Sequence, residues 1–366
     1  YMSSIISSKH KNKYFWIILG VLSFGVDRIM ATAPDWVDLY YFRGIFQGFR
    51  WIYDHTLGFL PIPVVYITLV VFVIYTARLF TKLIKNAKDG HWLSGLGEGL
   101  LGLLAFFGGS VFFFYLLWGY NYNRSNIYAD LDMQEQAIDS IYLMNEIDRV
   151  TKELISTRMN VSTDSLNAIS EVFFPEDLES QIRDNLEGLL ESWDIPITGR
   201  VRVRKLALKG TLLRFSTAGV YVPYVFEGHI DGGLHPILWP FTMAHEMTHG
   251  YGYGDEGTCN FIGYLACVQS DNDVIRYSAI RAYWRYLMSD LRKLNKELYR
   301  QYMILLPRAL KVDLNEIIEY MDRYPDIMPA VRDKMYDSYL KSHGVKDGLA
   351  NYSHMIKYIK AYRERG

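Results

Sequence analysis

The apolar positions of this chain follow two regimes. In the first third they run together in three stretches. "YFWIILGVLSFGVDRIM" runs from Tyr14 to Met30, "FLPIPVVYITLVVFVIYTARLF" from Phe59 to Phe80, and "LGEGLLGLLAFFGGSVFFFYLLWGY" from Leu96 to Tyr120. A helix crossing a bilayer needs about 20 residues. The second and third stretches reach that length, and the first is marginal. The pattern predicts three transmembrane helices at about 14–31, 59–80 and 96–120 in a membrane domain covering 1–123. A rival reading makes the first stretch a signal peptide, with Lys9, Lys11 and Lys13 before it and Ala31-Thr32-Ala33 as a cleavage site. Pro34 after the cut, and Asp27 with Arg28 on its approach, favour a retained span.

From 124 to 366 the pattern becomes periodic. "MQEQAIDSIYLMNEIDRVTKELISTRM" has helical spacing, and "PEDLESQIRDNLEGLLESW" opens on Pro175 with early acids, a helix start. "RVRVRKLALKGTLLRFSTAGVYVPYVF" alternates and reads as two or three short strands. "PFTMAHEMTHGYG" returns to helix and stops at glycine, and "DVIRYSAIRAYWRYLMSDLRKLNKELYRQYMILL" follows as further helix. The predicted class is α+β, mainly α.

Charge sets the expected orientation. Basic residues cluster before the first stretch and after the second, at Arg78, Lys82, Lys85 and Lys88, while Arg43 and Arg50 between them are offset by Asp35, Asp38 and Asp54. The positive-inside rule then places both basic ends in the cytoplasm and everything after Tyr120 outside it. Aromatic residues make up 15% of the chain, and Trp118, Tyr120 and Tyr122 fit an interfacial belt. Gly95-x-x-x-Gly99 and Gly108-Gly109 permit close helix approach, and Glu98 reads as interfacial. A net charge of -1 gives no pull toward nucleic acid. The two cysteines, Cys259 and Cys267, sit eight apart in a helical stretch, too far for a disulfide.

The chemistry concentrates in "MAHEMTHGYGYGDEGTCNF". Residues four apart on a helix share a face, so His245 and His249 can present two imidazoles to one zinc ion, with Glu246 angled at a water rather than at the metal. A catalytic zinc takes three protein ligands and keeps a fourth position open. Gly250, Gly252 and Gly254 allow the reversal that brings the next segment back. That segment offers Glu256 as third ligand, with Asn260 fixing a ligand from behind and Asp255 as competitor. The alternative is a pair of packed core histidines, with both acids capping the next helix. Upstream, Glu227 and His229 in "AGVYVPYVFEGHIDG" can line a substrate cleft beside an edge strand. Tyr277 and Tyr352 are candidate oxyanion donors and so join Glu246 as candidate catalytic residues.

Several passages together resemble a bacterial family of membrane proteins labelled as a domain of unknown function and regarded as zincin-like HExxH zinc metallopeptidases. They are "LPIPVV", "WGYNYNR", "GVYVPYVFEGHIDGGLHPILWPFTMAHEMTHGYGYGDEGTCNFIGYLAC", "IRYSAIRAYWRYL" and "SYLKSHGVKDGLANYSHMIKYI". The resemblance implies three retained spans, then a zincin-like domain in which Glu256, Asn260 and Phe261 occupy the family's acid and Asn-Phe places. Asp255 loses ground by it, and Thr258 stands where the family carries a further acid. The expected protein is a multi-pass bacterial membrane zinc metallopeptidase with its catalytic domain outside the cytoplasm. It hydrolyses peptide bonds with a zinc-activated water and Glu246 as general base. Its partners are the lipid bilayer and a peptide or protein substrate. A zinc amidase acting on cell-wall peptides, and a catalytically silent receptor or assembly factor, are the other readings.

Overall fold

The computed structural model describes residues 2–89, 92–327, 329–345 and 347–365, with side chains described except at 2–9, 83, 87, 94 and 348–350. The side chain of Lys9 therefore lies outside the described residues. The fold is mainly helical with one small sheet, and it divides into two compact units. One comprises 1–124 with 222–225, the other 125–221 with 226–366.

The first unit is built on four helices: α1 (Met2–Met30), α2 (Pro34–Asp54), α3 (Val64–Lys88) and α4 (Trp92–Leu117). Two of them, over Val64–Asn86 and Gly95–Leu117, are long and apolar enough to cross a membrane. The second predicted span starts five residues later than its apolar run. Pro61 and Pro63 lack the N–H that a helix interior requires, so regular helix begins at Val64. The first predicted span does not stand alone. α1 meets the length and hydropathy of a crossing only together with α2, and the pair is bent by 116°. Lys11, Lys13, Asp27 and Arg28 dilute its apolar run.

Glycine explains how α1 and α4 meet. A Cβ on Gly20 would lie 2.5 Å from the Gly108 carbonyl oxygen, and one on Gly108 would lie 2.5 Å from that of Trp16. Backbones this close exclude any side chain. Asp27 is buried and accepts from Asn123 Nδ2 at 2.7 Å. Glu98 pairs with Lys82 at 3.0 Å. The segment with Arg43 and Arg50, expected as a loop, is instead the helix α2, and its Val37–Phe46 portion winds as a π-helix. One face, including Tyr41, Phe42 and Phe46, is buried. Trp36, Leu39, Tyr40, Ile45, Trp51 and Ile52 are exposed.

The second unit contains the strands β1 (Arg202–Lys205), β2 (Gly219–Val222) and β3 (Glu227–Ile230) in the order β1-β3-β2. β1 and β3 run parallel, Arg202 opposite Glu227. β2 lies at an edge, with no further strand beside it among the described residues. The helices that matter here are α5 (Ser140–Val161), α6 (Leu178–Ser192), α7 (Trp239–Gly250), α8 (Glu256–Val268), α9 (Asp273–Leu294), α10 (Lys296–Leu305), α11 (Arg308–Asp322), α12 (Pro329–Ser342) and α13 (Met355–Glu364). The long helix expected from Asp273 onward breaks at Asn295, whose side chain caps α10 by accepting from Leu298 N at 3.0 Å. α8 is buried from Glu256 through Cys267, and the polar side chains of Glu256, Thr258 and Asn260 are buried with it. Its Gly263 presses on α7, where a Cβ would stand 3.1 Å from His245 N. That close crossing sets two buried helices side by side, and the candidate site lies between them.

Candidate metal centre

α7 ends at Gly250, and Gly252 adopts φ +90°, a conformation that favours glycine. The chain reverses there and re-enters helix at Glu256. Asp255 caps that helix: its Oδ1 accepts from Thr258 N and from Thr258 Oγ1, each at 2.7 Å. Asp255 is thus engaged as an N-cap, while Glu256 turns inward.

The result is a triangle of three atoms. His245 Nε2 and His249 Nε2 are 3.2 Å apart, and Glu256 Oε2 lies 3.0 Å from the first and 3.5 Å from the second. These three residues are the one His/Cys/Asp/Glu group among the described residues that is close enough to share an ion. A tetrahedral ion with bonds of about 2.0–2.1 Å would hold its donors about 3.3–3.4 Å apart. The triangle has that size.

The outer contacts fix the tautomers. His245 Nδ1 lies 2.9 Å from Asn260 Oδ1, and His249 Nδ1 lies 2.8 Å from the Tyr253 carbonyl. Asn260 Nδ2 donates to Tyr352 O at 3.2 Å and to Tyr286 Oη at 3.0 Å, so its Oδ1 is the acceptor facing His245. Both Nδ1 atoms therefore carry a proton, which leaves each Nε2 as the ring atom that can meet a cation. Glu256 Oε2 is the third corner of the triangle. It is buried and makes no hydrogen bond, despite its closeness to His245. When both imidazoles are neutral, their Nε2 atoms and Glu256 Oε2 offer three donors to one cation. The donor set, two imidazoles and one carboxylate, suits zinc.

Glu246 is buried beside this centre and faces the sheet. A Cβ on Gly219 of β2 would lie 2.6 Å from Glu246 Oε1, and one on Gly228 of β3 would lie 2.8 Å from Glu246 Cβ. Neither glycine was singled out from the sequence, although glycine inside a strand is a sign of close backbone approach. Burial pushes the Glu246 carboxyl up to about 7; the two histidines oppose the rise and Glu256 adds to it. Burial also works against charge on Glu256, but His249 and His245 reverse that and hold it well below the usual carboxylate range.

The remaining candidates divide. Tyr352 is in the cluster: its ring stacks on His245 with a 7° interplanar angle, and its hydroxyl is 3.2 Å from that of Tyr336. Tyr277 is not. Its hydroxyl donates to Asp313 Oδ2 at 2.6 Å in a separate buried network with Arg158, so the structure does not support it as an oxyanion donor. Glu227 and His229 are 0% and 1% exposed. Glu227 accepts from Arg204 Nε at 2.7 Å, and His229 Nε2 lies 3.5 Å from it. They face the interior rather than an open cleft. Cys259 and Cys267 are buried free thiols, as two small apolar side chains would be. Tyr336, missed from sequence, donates to Glu256 Oε1 at 2.6 Å.

Fold and site define a mainly helical protein that has, among the described residues, two helices of membrane-crossing length and one buried His–His–Glu cluster. The chain belongs to the family described as protein of unknown function (DUF3810), whose model matches residues 41–360 and so includes every residue of the cluster. Neither the curated proteins nor the solved structures contain a match to it.

Proposed function

We propose that this protein is a membrane-anchored zinc metallopeptidase with a zincin-like catalytic domain. The observation that carries the reading is the triangle of His245 Nε2, His249 Nε2 and Glu256 Oε2, with the carboxylate oxygen buried and unsatisfied. When bound there, zinc supplies Lewis acidity and lowers the pKa of water toward about 7. The chain's own residues do the rest. His245, His249 and Glu256 hold the ion. Asn260 and the Tyr253 carbonyl keep both imidazoles in one tautomer and orientation. Glu246, with its carboxyl raised to about 7, is matched to taking a proton from the attacking water and returning it to the leaving amine. β2 is the edge strand against which Glu246 packs at Gly219, and its outer side, with no further strand beside it among the described residues, suits an extended peptide.

The two span-length helices anchor the chain in the bilayer, with the bent pair α1 and α2 together as a third, retained crossing. The basic residues Lys11, Lys13, Lys82, Lys85 and Lys88 are on the cytoplasmic side, and the second unit is outside. The resemblance stated above makes this a bacterial cell membrane. A second reading, the silent receptor, draws on the 3.0 Å approach of His245 to Glu256, which a shared proton would also favour.

The test is a comparison of wild type with Glu246→Gln, purified in detergent, on a proteome-derived peptide library under zinc-replete conditions. Cleavage by wild type and none by the variant, at equal zinc content, supports the peptidase. No cleavage of any pool by wild type gives the silent receptor the advantage.

A further inference from the structure

We infer that Tyr336 and Tyr352 form a two-step hydrogen-bond relay onto Glu256, and that this relay keeps the ligand carboxylate bound to the ion through one oxygen. The inference rests on the metal reading proposed above and adds two positioning residues to it. Tyr336 is on α12, 80 residues from Glu256 in sequence, and its hydroxyl donates to Glu256 Oε1 at 2.6 Å. The other carboxylate oxygen, Oε2, is the one aimed at the two imidazoles. The two oxygens of Glu256 thus have different partners by construction.

A tyrosine hydroxyl has one proton. That of Tyr336 is committed to Glu256, so in its 3.2 Å contact with Tyr352 it is the acceptor and Tyr352 the donor. The donor sequence runs Tyr352 to Tyr336 to Glu256 Oε1. Each donation strengthens the next. Tyr352 is itself fixed: its ring stacks on His245, and its carbonyl accepts from Asn260 Nδ2, the residue that orients His245. One side-chain network therefore orients the first histidine and the carboxylate together.

The consequence is chemical. A carboxylate free at both oxygens can bind an ion in bidentate fashion and occupy the position that water needs. A strong donor on Oε1 removes that option. Outer partners of this kind are worth about 10–100-fold in metal affinity.

The test uses the full chain in detergent, loaded with cobalt(II) as a spectroscopic substitute, and zinc affinity by chelator competition. Tyr336→Phe keeps the ring and deletes the donor. The expected result is one ion per chain, a zinc affinity about 10–100-fold weaker, and a fall in visible cobalt absorption as the coordination number rises. Tyr352→Phe should move both readouts in the same direction by less, and it serves if Tyr336→Phe does not fold. Tyr358→Phe, which removes a hydroxyl 3.4 Å from Asp255, is the control and should change neither. Unchanged affinity and an unchanged cobalt spectrum in folded Tyr336→Phe, or in Tyr352→Phe where the former does not fold, would overturn the relay while leaving the metal site standing. Absence of metal binding by wild type would overturn both.

Discussion

Two buried polar networks in the second unit look alike at first and differ where it counts. Around Asp313, every acceptor meets a donor. Arg158 Nε and Tyr277 Oη each donate to Oδ2 at 2.6 Å, and Ile169 N donates to Oδ1 at 3.0 Å. Arg158 spends its remaining donors on the carbonyls of Ser162, Asp164 and Asn167. Arg158 and Asp313 are 1% and 0% exposed, and nothing about them asks for an additional group. Around Glu256 the arithmetic fails to close. Two imidazole nitrogens and one carboxylate oxygen lie within 3.5 Å of one another, and Glu256 Oε2 is buried with no hydrogen-bond partner. A complete network reads as a structural joint, here tying α5 to α11. An incomplete one suits the ion proposed above.

Mutations should separate the two. The largest effect expected is from Glu246→Gln, which removes the base and keeps the shape: turnover should fall by about 10²–10⁴-fold or more, measured as peptide hydrolysis, with zinc content unchanged. Next comes Asp313→Ala. Leaving Arg158 buried without its partner should cost about 3–5 kcal/mol of stability, seen as a lower Tm, while the protein that remains folded still binds metal. Asn260→Ala should weaken zinc binding by about 10–100-fold because His245 loses the acceptor on its Nδ1. The smallest effect belongs to Asp255→Ala. It removes an N-cap worth about 1 kcal/mol and should leave zinc affinity nearly untouched. If Asp255→Ala strips the metal and Glu256→Ala does not, the third ligand has been assigned to the wrong acid.

Sequence reasoning grouped His245, His249 and Glu256 because their geometry is local. His245 and His249 are one helical turn apart, and the reversal at Gly252 is short enough that only Asp255 and Glu256 compete. In the structure Asp255 occupies the cap and Glu256 the first turn inside. The long-range partners left no such mark. Tyr336 approaches from α12 across 80 residues, and one tyrosine among 29 carries no periodic signature. Tyr277 carries no such mark either, and its hydroxyl is engaged by Asp313. Gly219 and Gly228 were within reach as glycines inside strands that admit the Glu246 side chain. In the first unit, the apolar runs located α3 and α4 but not α2. Its charges at Asp35, Asp38, Arg43 and Arg50 suggested a loop, although exposed Trp36 and Tyr40, and Trp51 further along, already followed one face of a helix.

The proposed chemistry requires an ion between His245, His249 and Glu256. The direct measurement is elemental analysis of the full chain purified in detergent, beside His245→Ala/His249→Ala and Glu256→Ala. About one zinc per chain in wild type, lost in both variants while the helical circular dichroism persists, is the predicted result. Zinc content that is zero in wild type, or unchanged by either variant, would contradict it and make the cluster a second structural joint.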